Sequence, residues 1–227
     1  MSFKLPVIPS TDETAQAEVL ARQQSLTKPP GSLGCLEELT IQLAGICGSS
    51  RLSLARKAVI IMVGDHGVTA AGVSPYPSEV TGQMVSNFLA GGAAINSLAR
   101  YADARVVVVN VGVAGDLATH PAMLSRKVKP GTDNFLNGAA MSCVAADQAI
   151  ETSINVLATE AEQGLDLVAT GDMGIGNTTA AALLTAVCCG STPDAVTGRG
   201  TGVDDARSRT QNRRRGARAG NECARPE

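Results

Sequence analysis

The sequence predicts an α/β fold, an open, doubly wound, mainly parallel sheet of the Rossmann-like kind, and three observations carry that prediction. Apolar, β-branched runs lie within Arg56–Gly67, Ala104–Gly112 and Leu165–Gly171 and alternate with stretches of helical composition. A run apolar on both faces marks a strand buried in a parallel sheet, and parallel neighbours are joined by right-handed crossovers that place helices on the faces. Each run also ends in glycine with an acid close by: Gly64-Asp65, Gly112 followed by Gly115-Asp116, and Gly171-Asp172. In such sheets ligands sit beyond the carboxyl ends of the strands, so glycine and acid recurring on one rim predict a small-ligand site there.

The N-terminal stretch Met1 to Pro9 holds two prolines and no apolar h-region, so no secretory signal is read and a cytoplasmic location is expected. Residues 1–55 read as a helical segment. An amphipathic helix from about Asp12 to Ser25 is interrupted at Leu26-Thr-Lys-Pro-Pro-Gly-Ser-Leu-Gly34, because Pro-Pro-Gly cannot continue a helix. A second helix follows with Leu36, Leu39, Leu43 and Ile46 on one face, giving a hairpin of helices beside the larger domain.

The α/β core domain spans 56–205. After its first strand the turn Val73-Ser-Pro-Tyr-Pro77 leads into one helix from about Ser78 to Tyr101, with Ser78 and Glu79 suiting its start. The second strand is followed by an irregular stretch, Ala118 to Asn137, with a short edge strand expected around Lys127, and then a helix from about Gly138 to Gly164. After the third strand a helix runs from Asn177 to Cys189, ends at Gly190, and is barred from quick restart by Pro193.

The bend between the third strand and this last helix is Gly171-Asp-Met-Gly-Ile-Gly-Asn-Thr-Thr179. Gly174 and Gly176 free the backbone for positive φ and close approach, while Asn177 or Thr178 suits the helix cap. The exposed N–H groups and the positive end of the helix dipole then form a site for an anion such as a phosphate. No Lys follows the glycines, so this is not a nucleotide-triphosphate loop, and the spacing is not the dinucleotide fingerprint. A plain connector remains the alternative reading for such a turn.

Composition narrows the function classes. At 227 residues with two Tyr, three Phe and no Trp, the core must rest on Val, Ile, Leu and Ala. The longest apolar run, Ala180 to Cys189, is too short to span a bilayer. The six cysteines at 35, 47, 143, 188, 189 and 223 show no CxxC and read as buried free thiols. With His66 and His120 the only histidines, no metal site is expected, and nothing calls for a cofactor.

The net charge of −2 hides a division: residues 206–227 hold seven Arg and two Glu for +5, leaving −7 on residues 1–205. Without apolar periodicity, this tail is expected to be disordered. It reads as a basic nucleic-acid arm, a solvated terminus or an out-of-frame stretch. The last is favoured, because one choice of synonymous codons for Arg207 to Arg215 spells Gly-Val-Ala-Arg-Lys-Ile-Ala-Val-Val in the neighbouring frame.

Five blocks in order, Leu26 to Gly34, Gly64-Asp-His-Gly-Val68, Tyr76 to Asn96, Gly171 to Thr179 and Gly198-Arg-Gly-Thr-Gly-Val-Asp-Asp205, resemble the nicotinate-nucleotide–dimethylbenzimidazole phosphoribosyltransferases of cobalamin synthesis. The resemblance implies that 5,6-dimethylbenzimidazole attacks the anomeric carbon of nicotinate mononucleotide, releasing nicotinate and giving α-ribazole 5′-phosphate. It assigns phosphate anchoring to Gly174, Gly176, Asn177 and Thr178, and the benzimidazole pocket to the block from Ser78 to Gln83, with Ser78 and Gln83 as its polar contacts. The expected partners are those two small molecules, with neither nucleic acid nor membrane, and the resemblance implies a homodimer. Positioning two substrates supplies roughly 7 to 11 kcal/mol of barrier reduction, and a general base roughly a further 10² to 10⁴ in rate.

Two departures stand out. Asp172 occupies a position where the family commonly carries Glu, so this candidate accessory carboxylate is retracted by about 1.5 Å; bracing of the loop is its structural alternative. The family's proposed catalytic Glu lies in a later glycine-rich segment, leaving the catalytic residue of this chain unknown and the small helical domain incomplete. The resemblance is expected to stop near Asp205 and several apolar faces to lack cover. A catalytically inactive fragment that at most binds the mononucleotide is the alternative to an active transferase.

Overall fold

The computed structural model describes residues 7–198. The chain forms two compact units that part at Arg56.

In the first unit, α1 (Glu13–Ser25) starts on Asp12, whose Oδ1 accepts from the Ala15 N–H at 2.9 Å, the usual side-chain capping of an orphan donor. α2 (Cys35–Cys47) ends at Gly48, whose left-handed φ of 60° returns its N–H to the Ala44 carbonyl. Lys28 pairs with Glu37 at 2.6 Å, and Glu37 also accepts from the Leu33 N–H, so the Pro-Pro-Gly turn is latched onto the first turn of α2. The helices meet through small residues: Ala15, Val19 and Ala44 are buried with Ile41 against them, and a Cβ at Gly45 would lie 2.5 Å from Gln16 Nε2. The expected apolar face is not the packed one, since Leu36, Leu39 and Ile46 are exposed. The smaller Ala44 and Gly45 let the helix axes approach, and that contact sets which face turns inward.

The second unit contains β1 (Lys57–Gly64), α3 (Val80–Leu89), α4 (Ala94–Tyr101), β2 (Ala104–Gly112), β3 (Met123–Ser125), α5 (Cys143–Glu162), β4 (Leu167–Met173), α6 (Asn177–Cys189) and α7 (Pro193–Val196). Its four strands are parallel in the order β3-β2-β1-β4. The strand period of two splits β1 between two cores. Val59, Ile61 and Val63 pack with Val108, with Val85 and Phe88 of α3 and with Ala99 of α4. Ile60 packs on the opposite face with Val107, Val109 and Val156 of α5. Helices therefore cover both faces, the doubly wound α/β arrangement that the sequence predicts. At the amino ends of the strands Arg56 and Asp166 are joined: the Asp166 carboxylate accepts from the Arg56 N–H at 2.9 Å and from its guanidinium.

Several local expectations are corrected. The single helix over 78–101 is two, because Gly91 turns left-handed at φ 75° and breaks the ladder between α3 and α4. The edge strand expected around Lys127 is β3, earlier in the chain. Pro193 does not bar a restart: it opens α7 at the first helical position, where its missing N–H costs nothing. The described cysteines 35, 47, 143, 188 and 189 are free but exposed, not buried, since each sits on a helix face or terminus that packing leaves open; Cys223 lies outside the described residues, as does the whole stretch 206–227. Among the described residues no helix is long and apolar enough to cross a membrane.

Candidate active site

The chain runs outward from β1 through β2 to β3, then returns to the other flank of β1 as β4. The order of travel reverses between β1 and β4, and the crevice beyond the carboxyl ends of two such strands is where open α/β sheets bind ligands. The three glycine exits share this rim. Gly64 is paired with Gly112 across a bulge, and Asp65, nearly buried, receives the Ala114 N–H on Oδ2 at 2.7 Å while its carbonyl accepts from Thr132 N–H at 2.9 Å. The acid at this exit thus clips β1 to β2 and to the following loop.

The third exit is closer still. A Cβ at Gly174 would stand 1.9 Å from the Gly64 carbonyl oxygen and 3.0 Å from His66 Cδ2, so the bend presses on the end of β1 and no larger residue fits. Gly176 holds φ at 86°, the left-handed region that favours glycine. Between them the Ile175 N–H donates to Thr81 Oγ1 at 3.1 Å; Thr81 is fully buried in α3, so one hydroxyl ties that helix to the bend. The residue that flanks α6 is Gly176, with no side-chain cap. Asn177 stands one position later, where its Oδ1 accepts from the Thr178 N–H at 2.8 Å and its Nδ2 donates to Asp172 Oδ2 at 2.6 Å. The Gly176 N–H has no acceptor among the described residues.

A cavity of about 500 Å³ opens at this bend. One wall is apolar, with Val73, Tyr76, Val80, Met84 and Met173, and the other is the backbone from Gly174 to Thr178. Such a pocket pairs an apolar surface with the Gly176 N–H at a helix start, a combination that fits a ligand aromatic at one end and anionic at the other; the expected row of exposed donors is largely taken up, since the Ile175, Asn177 and Thr178 N–H groups are bonded within the chain. Of the residues singled out from sequence, the structure brings Gly174, Gly176, Asn177 and Thr178 to the cavity, whereas Ser78 and Gln83 do not line it: Ser78 precedes α3, and Gln83 lies between Val80 and Met84, which form its wall. Gln83 is exposed, and Asp172 is exposed with its carboxylate engaged by Asn177.

Sequence reasoning does not single out Thr81, Val80, Met84 or His66 as site residues. Val80 and Met84 carry a signal, an apolar pair four apart on a helix; Thr81 carries none, because its partner lies 94 residues away. Burial pushes the His66 imidazole below its ordinary range, against the opposing pull of Asp172 and Asp65. No described carboxylate lines the cavity, and among the described residues no cluster of His, Cys, Asp or Glu is arranged to hold a metal ion.

Comparison with known proteins places the chain in a family. A phosphoribosyltransferase family model matches residues 8–214. The nicotinate-nucleotide–dimethylbenzimidazole phosphoribosyltransferase of Roseiflexus sp. strain RS-1 is 54% identical over 195 residues, 86% of this chain and 55% of that protein. The chain belongs to the nicotinate-nucleotide–dimethylbenzimidazole phosphoribosyltransferase family. The phosphoribosyltransferase of the same name from Thermus thermophilus is 50% identical over 86% of this chain and 58% of its own length. A crystal structure of CobT from Thermus thermophilus superposes with a TM-score of 0.86 at 49% identity, covering 90% of this chain and 61% of that one. The chain spans a little over half the length of the curated phosphoribosyltransferases it matches. The family match runs past Asp205 to 214, further than the motifs read from sequence.

Proposed function

We propose that the chain binds nicotinate mononucleotide and 5,6-dimethylbenzimidazole at the β1–β4 crevice and serves transfer of the phosphoribosyl group to the benzimidazole, releasing nicotinate and giving α-ribazole 5′-phosphate. The observation that carries the reading is the cavity with two unlike walls. The Gly174–Thr178 backbone, with the unengaged Gly176 N–H and the amino end of α6, suits the 5′-phosphate. The Val80–Met84–Tyr76 side suits a planar apolar base, held so that one ring nitrogen faces the anomeric carbon. That nitrogen forms the new C–N bond as the bond to nicotinate breaks, and the proton on the other nitrogen must leave to a base.

A second reading has its own support. Asp172, the carboxylate beside the bend, already accepts from Asn177 at 2.6 Å, and no described acid lines the cavity. This favours binding of the mononucleotide without efficient turnover, since loss of a general base typically removes about 10² to 10⁴ in rate. Purified protein is to be tested by calorimetry with nicotinate mononucleotide and by chromatography for α-ribazole 5′-phosphate. Binding with product formation supports transfer, binding alone supports the second reading, and absence of binding removes both. Gly176→Val is expected to abolish mononucleotide binding, because a branched residue is strained at φ 86° and its Cβ would crowd Thr69 Cγ2 at 3.2 Å.

A further inference from the structure

The bend from Gly174 to Asn177 is a tight turn, closed by the Asn177 N–H on the Gly174 carbonyl at 3.0 Å. Gly176, its third residue, lies at φ 86° and ψ 0°, while Ile175 is not left-handed, so the turn is of type II. The central peptide turns over between types I and II, and here that peptide carries the Gly176 N–H, the donor open to a ligand. Where this N–H points therefore depends on the turn type and on how the turn is set against its surroundings. Gly176 accounts for the type. The setting comes from outside the turn: the Ile175 N–H donates to Thr81 Oγ1 at 3.1 Å across 94 residues of sequence. The peptide plane between Gly174 and Ile175 is thus held at both ends, its carbonyl by Asn177 and its N–H by Thr81. Thr81 is fully buried and does not line the cavity. It sits on α3 between Val80 and Met84, the two residues of that helix that wall the cavity.

We propose that Thr81 is a positioning residue for the anionic end of the substrate: without touching the ligand, its hydroxyl holds the turn so that the Gly176 N–H faces the cavity. A hydroxyl that merely satisfied a part-buried donor would act on stability alone. The place of the acceptor argues for more. It comes from the helix that forms the apolar wall, so one hydrogen bond sets the angle between the two halves of the cavity, and transfer between two bound substrates depends on that alignment. A water in its place would satisfy the Ile175 N–H without fixing its direction. This role rests on the reading of the bend as the phosphate seat, and the test below separates the two.

Thr81→Val keeps the branched shape and removes the acceptor, whereas Thr81→Ser keeps the acceptor and removes a buried methyl. Both are expected to lower the melting temperature, the first by stranding a donor and the second by leaving a small void. Calorimetry with nicotinate mononucleotide should part them. Affinity is expected to be at least about tenfold weaker than the parent's in Thr81→Val and within about threefold of it in Thr81→Ser. In the chain without ligand, amides of Asn177 and Thr178 are expected to exchange at least about tenfold faster in Thr81→Val than in Thr81→Ser. A further measurement needs no variant to fold: mononucleotide bound to the parent selects the Thr81-bonded turn and should slow exchange at Ile175 at least about threefold. Parent-like affinity in Thr81→Val, an equal loss of affinity in the two variants, or unchanged exchange at Ile175 on binding would each overturn the positioning role and leave the phosphate seat standing. Absence of mononucleotide binding by the parent would overturn both.

Discussion

Gly174 shows how little room the site leaves. Its Cα faces the Gly64 carbonyl so closely that an added methyl would sit 1.9 Å from that oxygen, and the obstruction is backbone, which cannot rotate away. Gly174→Ala is expected to force β1 and β4 apart at their exits at a cost of about 1 to 3 kcal/mol, lowering the melting temperature by about 2 to 4 °C per kcal/mol. Gly115→Ala, on the same rim with nothing within 4 Å of the added carbon, serves as the matched control and should melt as the parent does. His66 adds a pH dependence. Burial lowers its folded value below the ordinary 6.5, so the unfolded chain takes up the proton more readily. The stability contributed by the neutral ring is complete above about pH 6.5 and is lost as pH falls through that value and then through the lowered folded one. Melting temperature should therefore drop less between about pH 7.5 and pH 5 in His66→Gln than in the parent; equal drops would remove His66 as the source.

At the scale of elements, the break between α3 and α4 matters because it sets how the helix that walls the cavity rests on the sheet. One residue holds it. Asn96, nearly buried, accepts from the Ala93 N–H through Oδ1 and donates from Nδ2 to the Phe88 carbonyl, both at 3.1 Å, closing the end of α3 onto the start of α4. Asn96→Ala leaves the Ala93 N–H unpaired in a buried place, while the Phe88 carbonyl keeps the Gly91 N–H, and a loss of about 1 to 3 kcal/mol for the one stranded group is the expected scale. Urea denaturation should show the midpoint falling with little change in slope. Thr81 belongs to the same element and anchors the Ile175 amide, so the wall and the bend move as one piece.

For the molecule as a whole, stability is unevenly spread across the sheet. β1 is central, paired on both edges and buried on both faces, whereas β4, among the described residues, is paired on one edge and is exposed at Ala169 and Thr170. Local opening should follow that gradient. In the chain alone, amides of 167–173 are expected to exchange at least about tenfold faster than those of 58–63, measured by mass spectrometry on native protein. Uniform protection across the two strands would mean that β4 is covered in solution. The cavity lies at the junction of the best and worst supported strands, and ligand bound to the bend should slow exchange in β4 more than in β1.

Much of this was legible in the sequence. The β-branched runs located β1, β2 and β4, and the glycine-rich bend located the start of α6, because propensity and backbone freedom act between near neighbours along the chain. The Gly190 terminator is local in the same sense. Only the tertiary structure decided that β1 is central and β4 marginal, that Gly174 is pinned by the Gly64 carbonyl, that Thr81 meets Ile175, and that Val80 and Met84 rather than Ser78 and Gln83 line the cavity. Those features depend on pairings between residues far apart in sequence, and no local pattern records which distant segment will supply the second partner.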